Sequence, residues 1–180
     1  MMINREEIVN RFCLMGKWIE EGLEKGDFDE VTRRAFACNG WFCEEFVRSA
    51  LMGIASWLRK DVLENFVAEY AFAEMPKRIA VIAAGNIPAV GFHDIMCVLL
   101  SGNKLVCKLS SKDDVLLPFL FDNFFKEEVV FEKSVIAGFD AVIATGSNNS
   151  ALHFENYFGK YPHIIRHNRH SVAVLSVRQP

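Results

Sequence analysis

Residues Arg78 to Lys112, RIAVIAAGNIPAVGFHDIMCVLLSGNKLVCKLSSK, decide the fold of this chain. The run Ile79–Ala84 is apolar without alternation, which predicts a parallel strand covered on both faces. A glycine turn ends it, and apolar residues at helical spacing follow over Val90–Leu100. Gly102 suits the left-handed end of that helix, and Leu105–Leu109 reads as a second buried strand. The stretch therefore predicts a βαβ unit, and ligands bind at the carboxyl ends of such strands.

The chain before this unit is predicted to be helical. Asn4 and Glu7 have the spacing of a capping box, and an apolar face of helical period continues from there until Gly26. A second helix is predicted to take its cap from Asp27 and to end at Asn39-Gly40.

A third helix is predicted from apolar residues at helical spacing, which we expect to form its buried face: Phe42, Phe46, Ala50, Ile54 and Trp57. Asp61 is predicted to open a fourth helix, which Pro76 ends before the first strand. Because residues 1–75 carry no concentration of reactive groups, we expect this region to serve as a scaffold or a subunit contact.

Beyond Lys112 the pattern predicts further helices and strands. Helices are expected over Val115–Phe125 and Ala151–Phe158, and strands over Val129–Phe131, Phe139–Ala144, His163–Arg166 and Val172–Ser176. Together with the βαβ unit, these elements predict an α/β fold with helices at the amino terminus.

The composition excludes several classes of protein. The chain has 180 residues, about one domain, and 51% of them are hydrophobic. The net charge of −3 and the pI near 6.0 argue against nucleic acid or an acidic membrane as a partner. No run of about eighteen residues is free of charge, and Glu6 and Glu7 occupy the place of a signal peptide's apolar segment. We therefore expect a cytoplasmic protein without membrane insertion.

The cysteines form no metal or disulfide pattern. The five residues contain no CxxC pair and are odd in number, which argues against a zinc site and a disulfide framework. Cys97 and Cys107 lie in apolar runs and are expected to pack in the core. Cys38 and Cys43 flank Asn39-Gly40, and for them a reactive thiol stays open beside simple packing.

The histidines invite a metal interpretation that their spacing does not support. The segment HIIRHNRH contains His163, His167 and His170, but it has no acidic or cysteine ligand and matches no zinc signature. We expect histidines that lie on the surface or are satisfied by hydrogen bonds, and no metal. No GxSxG motif occurs either, which argues against a hydrolase.

The segment ATGSNNSA stands between a predicted strand and a predicted helix. Thr145, Gly146 and Ser147 can form an anion site with the helix start, or they can simply cap the helix. The motifs GxGxxG and GxxxxGK[ST] are both absent, which argues against an ordinary Rossmann fingerprint and a P-loop.

Two other polar positions lie at strand ends. Lys108, next to Ser110, Ser111 and Lys112, stands where a nucleotide ribose would lie, or it is a solvated strand end. Asn86 can donate a hydrogen bond to an oxyanion, or it can be a turn residue before proline.

Four segments taken together, AAGNIPAVGFHD, LSGNKLVCKLSSKDDVLLP, GFDAVIATGSNNS and YFGKYPHIIRHNRHSVAVLS, resemble the acyl-CoA reductase family. This is the Lux-type fatty acyl-CoA reductase branch of the aldehyde dehydrogenase superfamily. The resemblance covers about Leu63 to Ser176 and implies that residues 76–180 form the Rossmann-like, incomplete cofactor domain of the aldehyde dehydrogenase fold. It also implies that the full-length protein reduces a fatty acyl-CoA to an aldehyde through a cysteine thioester.

The resemblance assigns roles to individual residues. Asn86 corresponds to the asparagine that steadies the oxyanion, and Lys108 to the lysine at the adenine ribose. Ser111 stands where NAD-preferring relatives carry a glutamate, and a 2′-phosphate would pair with Lys108 and Lys112, so the implied cofactor is NADP(H). Gly146 and Ser147 would cradle the pyrophosphate. The implied cofactor contacts are Ile87, Pro88, Lys108, Ser110, Ser111, Lys112, Thr145, Gly146 and Ser147.

The sequence departs from the family pattern in two respects. The superfamily's general-base glutamate aligns near Arg166, so that role has no occupant. The nucleophilic cysteine lies in a catalytic domain that the 180 residues do not contain. We therefore expect a truncated form, ending at Pro180, that supplies the cofactor-binding portion and is inactive alone.

The sequence leaves open two alternative functions. The first is a non-catalytic nucleotide-binding or assembly module that covers its apolar surfaces by forming a homo-oligomer. The second is a complete small enzyme that uses Cys38 or Cys43, which predicts a thiol that iodoacetamide labels quickly.

Overall fold

The structure is a computed structural model that describes residues 4–134, 136–167 and 172. Within these residues the helices are α1 (Arg5–Lys25), α2 (Asp29–Cys38), α3 (Glu44–Trp57), α4 (Lys60–Val67), α5 (Phe92–Leu100), α6 (Leu116–Phe121) and α7 (Asn148–Phe158). The strands are β1 (Arg78–Ile82), β2 (Lys104–Lys108), β3 (Val129–Glu132), β4 (Ala141–Thr145) and β5 (His163–Arg166).

The βαβ unit predicted from residues 78–112 is confirmed as β1, α5 and β2. Gly102, after α5, has a φ of 83°, a left-handed conformation that glycine adopts without steric cost. The strand predicted at His163–Arg166 is confirmed with those bounds as β5. The last predicted strand, Val172–Ser176, lies outside the described residues apart from Val172.

The described strands form one parallel sheet in the order β3-β2-β1-β4-β5. The chain moves outward from β1 through β2 to β3, and then crosses to the other side of β1 at β4. This is the order of dinucleotide-binding α/β folds, in which ligands bind where the strand order reverses. The predicted fold class is confirmed, and the reversal point lies between the carboxyl ends of β1 and β4.

Alternate residues of the central strands pack on opposite faces of the sheet. Val81 and Cys107 join a large cluster with the amino-terminal helices, α5 and α6. Ala80, Ile82 and Val106 belong to a smaller cluster on the other face, where the partly buried rings of α7 pack. Burial on both faces explains why β1 is an unbroken apolar run.

The first helix begins and ends as predicted. Asn4 Oδ1 accepts a hydrogen bond from the Glu7 N–H at 2.8 Å, and α1 ends at Gly26. The cap predicted at Asp27 is wrong, because α2 begins at Asp29 and has no side-chain cap. Phe28 occupies the cap position instead, and burial of its ring, 2% exposed, fixes the turn.

The predicted buried face of the third helix is partly wrong. Phe46 and Trp57 are 58% and 43% exposed, whereas Ile54 is buried as predicted. The face that α3 turns to the core consists of Val47, Leu51, Ile54 and Ala55. This helix is apolar on more than one side, so its spacing alone did not show which side the neighbouring helices cover.

Two predicted helices are longer than the observed ones. The fourth helix ends at Val67 rather than at Pro76, and α6 covers Leu116–Phe121 rather than Val115–Phe125. After α6 the chain turns at once toward β3, and Phe125 packs its buried ring on Phe12. In the described part of the chain, no helix combines the length and apolar character that crossing a bilayer requires.

The predicted packing of the cysteines is confirmed for Cys107. It is fully buried, and burial raises the pKa of its thiol to about 12. Cys97 is only half-buried, and its Sγ lies 3.8 Å from the His93 ring nitrogens.

Candidate functional site

Asn86 lies in the loop that follows β1, at the carboxyl edge of the sheet. Its side chain is exposed, as is Ile87, whereas Pro88 is buried beneath them. Gly85 packs closely against the turn after β2, because a Cβ at this position would lie 2.4 Å from Ser110 Oγ. The loop is therefore fixed at its base while Asn86 remains accessible.

An apolar cleft of about 580 Å³ lies beside Asn86. One wall is the loop itself, and the other comes from the turn between α2 and α3 and from the start of α3. Its lining consists of Gly40, Trp41, Cys43, Phe46, Ser49, Ala50, Asn86, Ile87 and Pro88. The arrangement sets an amide donor at the edge of a surface suited to hydrocarbon.

The amino-terminal helices therefore contribute to the candidate site, although the sequence indicates only a scaffold or a subunit contact for them. Trp41 is 76% exposed and Phe46 is 58% exposed, and both face the cleft. Trp41 directly follows Asn39-Gly40, and a large aromatic residue in a turn between helices is the sequence feature that could have indicated this wall of the cleft. Cys43 lines the same cleft, whereas Cys38 is exposed elsewhere on α2.

The end of β2 and the turn that follows it carry the residues that the resemblance assigns to the adenosine end. Lys108 is half-buried, and its Nζ donates to the Lys133 carbonyl at 3.4 Å. Ser110 Oγ accepts from the Lys112 N–H at 3.2 Å, which folds the turn on itself. Ser111 and Lys112 are exposed.

Lys133 joins this edge from the end of β3, although no pattern in the sequence indicates this position. Its Nζ forms an ion pair with Asp114 at 2.6 Å, and this hydrogen bond raises the pKa of Lys133. Glu132 lies opposite Lys108 in the register of β2 and β3. The corner therefore holds charges of both signs, and the exposed ones among them are those of Lys112 and Lys133.

Thr145 ends β4, and Gly146 and Ser147 form the turn that follows it. Ser147 is the N-cap of α7, and its Oγ accepts from the Ser150 N–H at 3.2 Å, so the capping role is present. The Thr145 hydroxyl is buried and has no hydrogen-bond partner among the described residues. A buried hydroxyl without a partner costs free energy, which singles out this atom at the reversal point of the sheet.

These three groups share one edge of the sheet. The turns that follow β2, β1 and β4 stand side by side, because those strands are neighbours and all run in the same direction. Asn86 faces the cleft, Lys108 ends β2 with its neighbours in the turn that follows, and Thr145 to Ser147 lie across the reversal point. A larger cavity, about 1090 Å³, opens at the opposite edge beside the amino ends of the strands.

Asp113 is a buried carboxylate at this edge. It is 2% exposed, and its Oδ2 accepts from the Ala89 N–H at 2.8 Å. Burial raises the pKa of Asp113 to about 6, while the N–H groups of Ala89 and Leu116 lower it by less. Its Oδ1 has no hydrogen-bond partner within the described residues, which fits this direction.

Asp113 predicts a pH dependence of stability. Because its pKa rises from 3.8 to about 6 on folding, the protonated group favours the folded state below pH 3.8, and this contribution is lost as the pH rises through 6. An asparagine side chain cannot titrate, so Asp113→Asn does not lose this contribution. As the pH rises from about 4 to about 7.5, we expect the free energy of unfolding of Asp113→Asn to increase by about 2 to 3 kcal/mol relative to that of the wild type. Urea unfolding of both proteins across this range measures the difference. An equal gain in Asp114→Asn, at the half-exposed neighbour, would contradict the assignment.

Arg166 forms an ion pair with Asp94 in the first turn of α5. Its Nη1 donates to Asp94 Oδ1, and His93 Nδ1 lies 3.9 Å from the same oxygen. Burial raises the pKa of Asp94, but His93 and Arg166 outweigh this, so the pKa lies below its ordinary value. The Asp94 carboxylate and then Cys97 raise the pKa of His93. Arg166 therefore ties β5 to α5.

Among the described residues, the remaining histidines belong to no metal-binding cluster. In residues 4–134 and 136–167, no group of three His, Cys, Asp or Glu side chains is close enough to hold a metal ion. His170 of the HIIRHNRH segment lies outside the described residues.

Comparisons with known proteins agree with this architecture. The fold is similar to the solved structure of Proline Utilization A (PutA) from Corynebacterium freiburgense, with a TM-score of 0.61 at 14% identity, over 91% of this chain and 18% of that one. The putative aldehyde dehydrogenase PutA from Anabaena variabilis is similar with a TM-score of 0.57 at 17% identity, over 92% of this chain and 45% of that one. The chain thus spans less than half of either solved structure. The search of curated proteins gave no match.

The family comparison is more specific than these likenesses of fold. The chain matches the acyl-CoA reductase (LuxC) family over residues 29–176. The matched range begins with α2 and includes both walls of the cleft and the turns after β1, β2 and β4. The resemblance drawn from the sequence is confirmed: this chain belongs to the LuxC acyl-CoA reductase family.

Proposed function

We propose that this chain provides the cofactor-binding portion and the oxyanion donor of a cytoplasmic, NADPH-dependent acyl-CoA reductase. The observation that carries the proposal is the position of Asn86, which is exposed at the edge of an apolar cleft. A fatty acyl thioester joins a polar carbonyl to a hydrocarbon chain. An amide donor beside the aromatic rings of Trp41 and Phe46 suits both parts.

Asn86 acts on the acyl carbonyl in this proposal. When a cysteine thiolate attacks the thioester carbon, the carbonyl oxygen gains negative charge. The carbonyl forms again as the coenzyme A thiolate leaves. Asn86 Nδ2 donates a hydrogen bond to that oxygen and stabilises the charge as it forms. In the family resemblance the attacking cysteine belongs to a domain outside these residues, so we expect no turnover by this chain alone.

The carboxyl edge of the sheet fits a dinucleotide. The first turn of α7 offers backbone N–H groups and a positive dipole end to a pyrophosphate. The buried Thr145 hydroxyl, without a partner among the described residues, is a polar group that a ligand at the reversal point would satisfy. Bound NADPH would supply the hydride that converts the acyl group to an aldehyde.

The turn after β2 supports NADPH over NADH. Ser111 leaves the exposed tip of this turn without the carboxylate that would repel a 2′-phosphate. Lys108 and Lys112 would pair with the phosphate, and Lys133 stands at the same corner. Glu132 opposes this attraction in part, so the lysines must act together.

Cofactor titration tests the proposal. We expect NADPH to quench the fluorescence of the three tryptophans with saturation, and to bind more tightly than NADH. Lys108→Ala should weaken NADPH binding about tenfold, the effect of losing one charged hydrogen bond. Lys104→Ala, at the opposite end of the same strand, is the matched control and should leave binding unchanged. Calorimetry should reproduce both affinities.

Two results would contradict the proposal. Equal affinity for the two cofactors would remove the role of the lysines in choosing NADPH. Absence of binding to either cofactor would remove the cofactor site from this chain and leave the assembly alternative.

That alternative, a nucleotide-binding or assembly module without catalysis, is favoured by one observation. Large apolar side chains on the amino-terminal helices are exposed, among them Phe36 at 52% and Met52 at 49%. Such surfaces mark interfaces when they are contiguous. Sedimentation velocity distinguishes the cases, because an assembly module gives one discrete homo-oligomer that acyl-CoA does not alter.

A further inference from the structure

The loop that carries Asn86 is held by a hydrogen bond at each end. The Gly85 carbonyl accepts from Asn39 Nδ2 at 3.2 Å, and the Ala89 N–H donates to Asp113 Oδ2 at 2.8 Å. These partners come from two separate parts of the chain, the turn between α2 and α3 and the turn after β2. Asn86 lies between the two anchored residues.

Asn39 uses both ends of its side-chain amide. Its Nδ2 donates to Gly85, while its Oδ1 accepts from the Trp41 N–H at 3.1 Å. Trp41 and Asn86 line opposite walls of the cleft. One side chain therefore fixes the spacing between the wall that carries the aromatic ring and the loop that carries the amide donor.

Asp113 holds a backbone conformation that the sequence does not favour. Ala89 has a φ of 53°, in the left-handed region that costs a residue with a Cβ about 1–2 kcal/mol. The hydrogen bond from the Ala89 N–H to Asp113 Oδ2 holds the loop in this conformation. The contact of Gly85 with Ser110 supports the same loop from the same turn.

We propose that Asn39 and Asp113 are positioning residues for Asn86. They hold the loop so that the amide already points to the place where the oxyanion forms. A donor fixed in advance needs no reorganisation during the reaction, which is the condition for effective stabilisation of a transition state. The inference rests on the proposed role of Asn86.

Hydrogen exchange tests the clamp in the unliganded chain. Asp113→Leu removes the acceptor at similar size, whereas Asp113→Asn keeps an amide oxygen for the Ala89 N–H. We expect exchange across residues 85–89 to be about tenfold faster in Asp113→Leu and close to wild type in Asp113→Asn. Peptides from α1 serve as the reference for global stability. Equal acceleration in α1 would overturn the local role.

Asn39→Asp provides a second variant that does not bury a new group, because the turn is half-exposed. The carboxylate still accepts from the Trp41 N–H, but it replaces the donor that faces the Gly85 carbonyl with an acceptor. We expect the same local acceleration of exchange. Unchanged exchange of residues 85–89 in Asn39→Asp and in Asp113→Leu would overturn the clamp.

The carbonyl stretch of a bound acyl-CoA tests the link to Asn86. With decanoyl-CoA labelled at the carbonyl carbon, we expect an infrared shift to lower frequency on binding to the wild-type chain. The shift should be lost in Asn86→Ala, Asp113→Leu and Asn39→Asp, and restored in Asp113→Asn. A shift that survives Asp113→Leu and Asn39→Asp would overturn the positioning role alone. No shift with the wild type would overturn the proposed role of Asn86, and the positioning role with it.

Discussion

Replacement of Asn86 by alanine is expected to lower kcat for acyl-CoA reduction by about 10²-fold to 10³-fold, with little change in KM. The physical reason is the timing of the interaction, because the amide bonds most strongly to the oxygen when it carries charge. Loss of one such donor raises the barrier by about 3 kcal/mol. The defect should appear in the acylation step, which precedes the hydride transfer that forms the aldehyde.

The measurement requires a LuxC-family protein that carries these residues together with the nucleophilic cysteine. Rapid quenching that follows release of coenzyme A separates acylation from the later steps. Asn65→Ala, an exposed asparagine on α4, is the matched control and should keep the wild-type rate. Acylation that is equally fast in Asn86→Ala would show that another group stabilises the oxyanion.

Phe12→Ala is expected to destabilise the folded chain by about 3–5 kcal/mol. The Phe12 ring is fully buried and contacts three other rings, those of Phe92, Phe121 and Phe125. These contacts join α1 to α5, to α6 and to the segment after α6. Because the remaining rings cannot all close around the space left behind, the cavity adds to the loss of burial.

Urea unfolding followed by circular dichroism measures this change. Phe36→Ala, at a side chain that is 52% exposed on α2, should change stability by less than about 1 kcal/mol. A single cooperative transition in the wild type is also expected, since one cluster contains residues on both sides of Pro76. A similar loss of stability in the two variants would contradict the packing around Phe12. The division into residues 1–75 and 76–180 stays a prediction.

The parts of the fold that sequence could predict depend on local signals. The apolar run of β1, the glycine after α5 and the asparagine before α1 each act within a few residues, so their patterns were sufficient. The family motifs added the position of Asn86 at a strand end.

The candidate cleft could not be predicted in the same way, because its walls meet only in the folded chain. Asn39 and Gly85 are separated by 46 positions, and nothing in the pattern around either residue indicates the other. Phe46 looked like core because helical spacing cannot distinguish a face covered by a neighbour from one that borders a cleft. The bond between Asp113 and the Ala89 N–H joins two turns that are 24 positions apart, so the local pattern does not indicate it either.

Because Ser110 packs against Gly85, it should tolerate substitution less well than its neighbour Ser111. Ser111 is exposed, so its side chain can be replaced without disturbing the packing of the turn. A Cβ on Gly85 would lie only 2.7 Å from Ser110 Cβ, so the two residues are closely packed. A longer side chain at position 110 would press on the loop that carries Asn86. If the proposed cofactor site is tested with a mutant library, the library should therefore vary position 111 and keep position 110 small, because a larger residue at 110 would also displace the loop that carries Asn86.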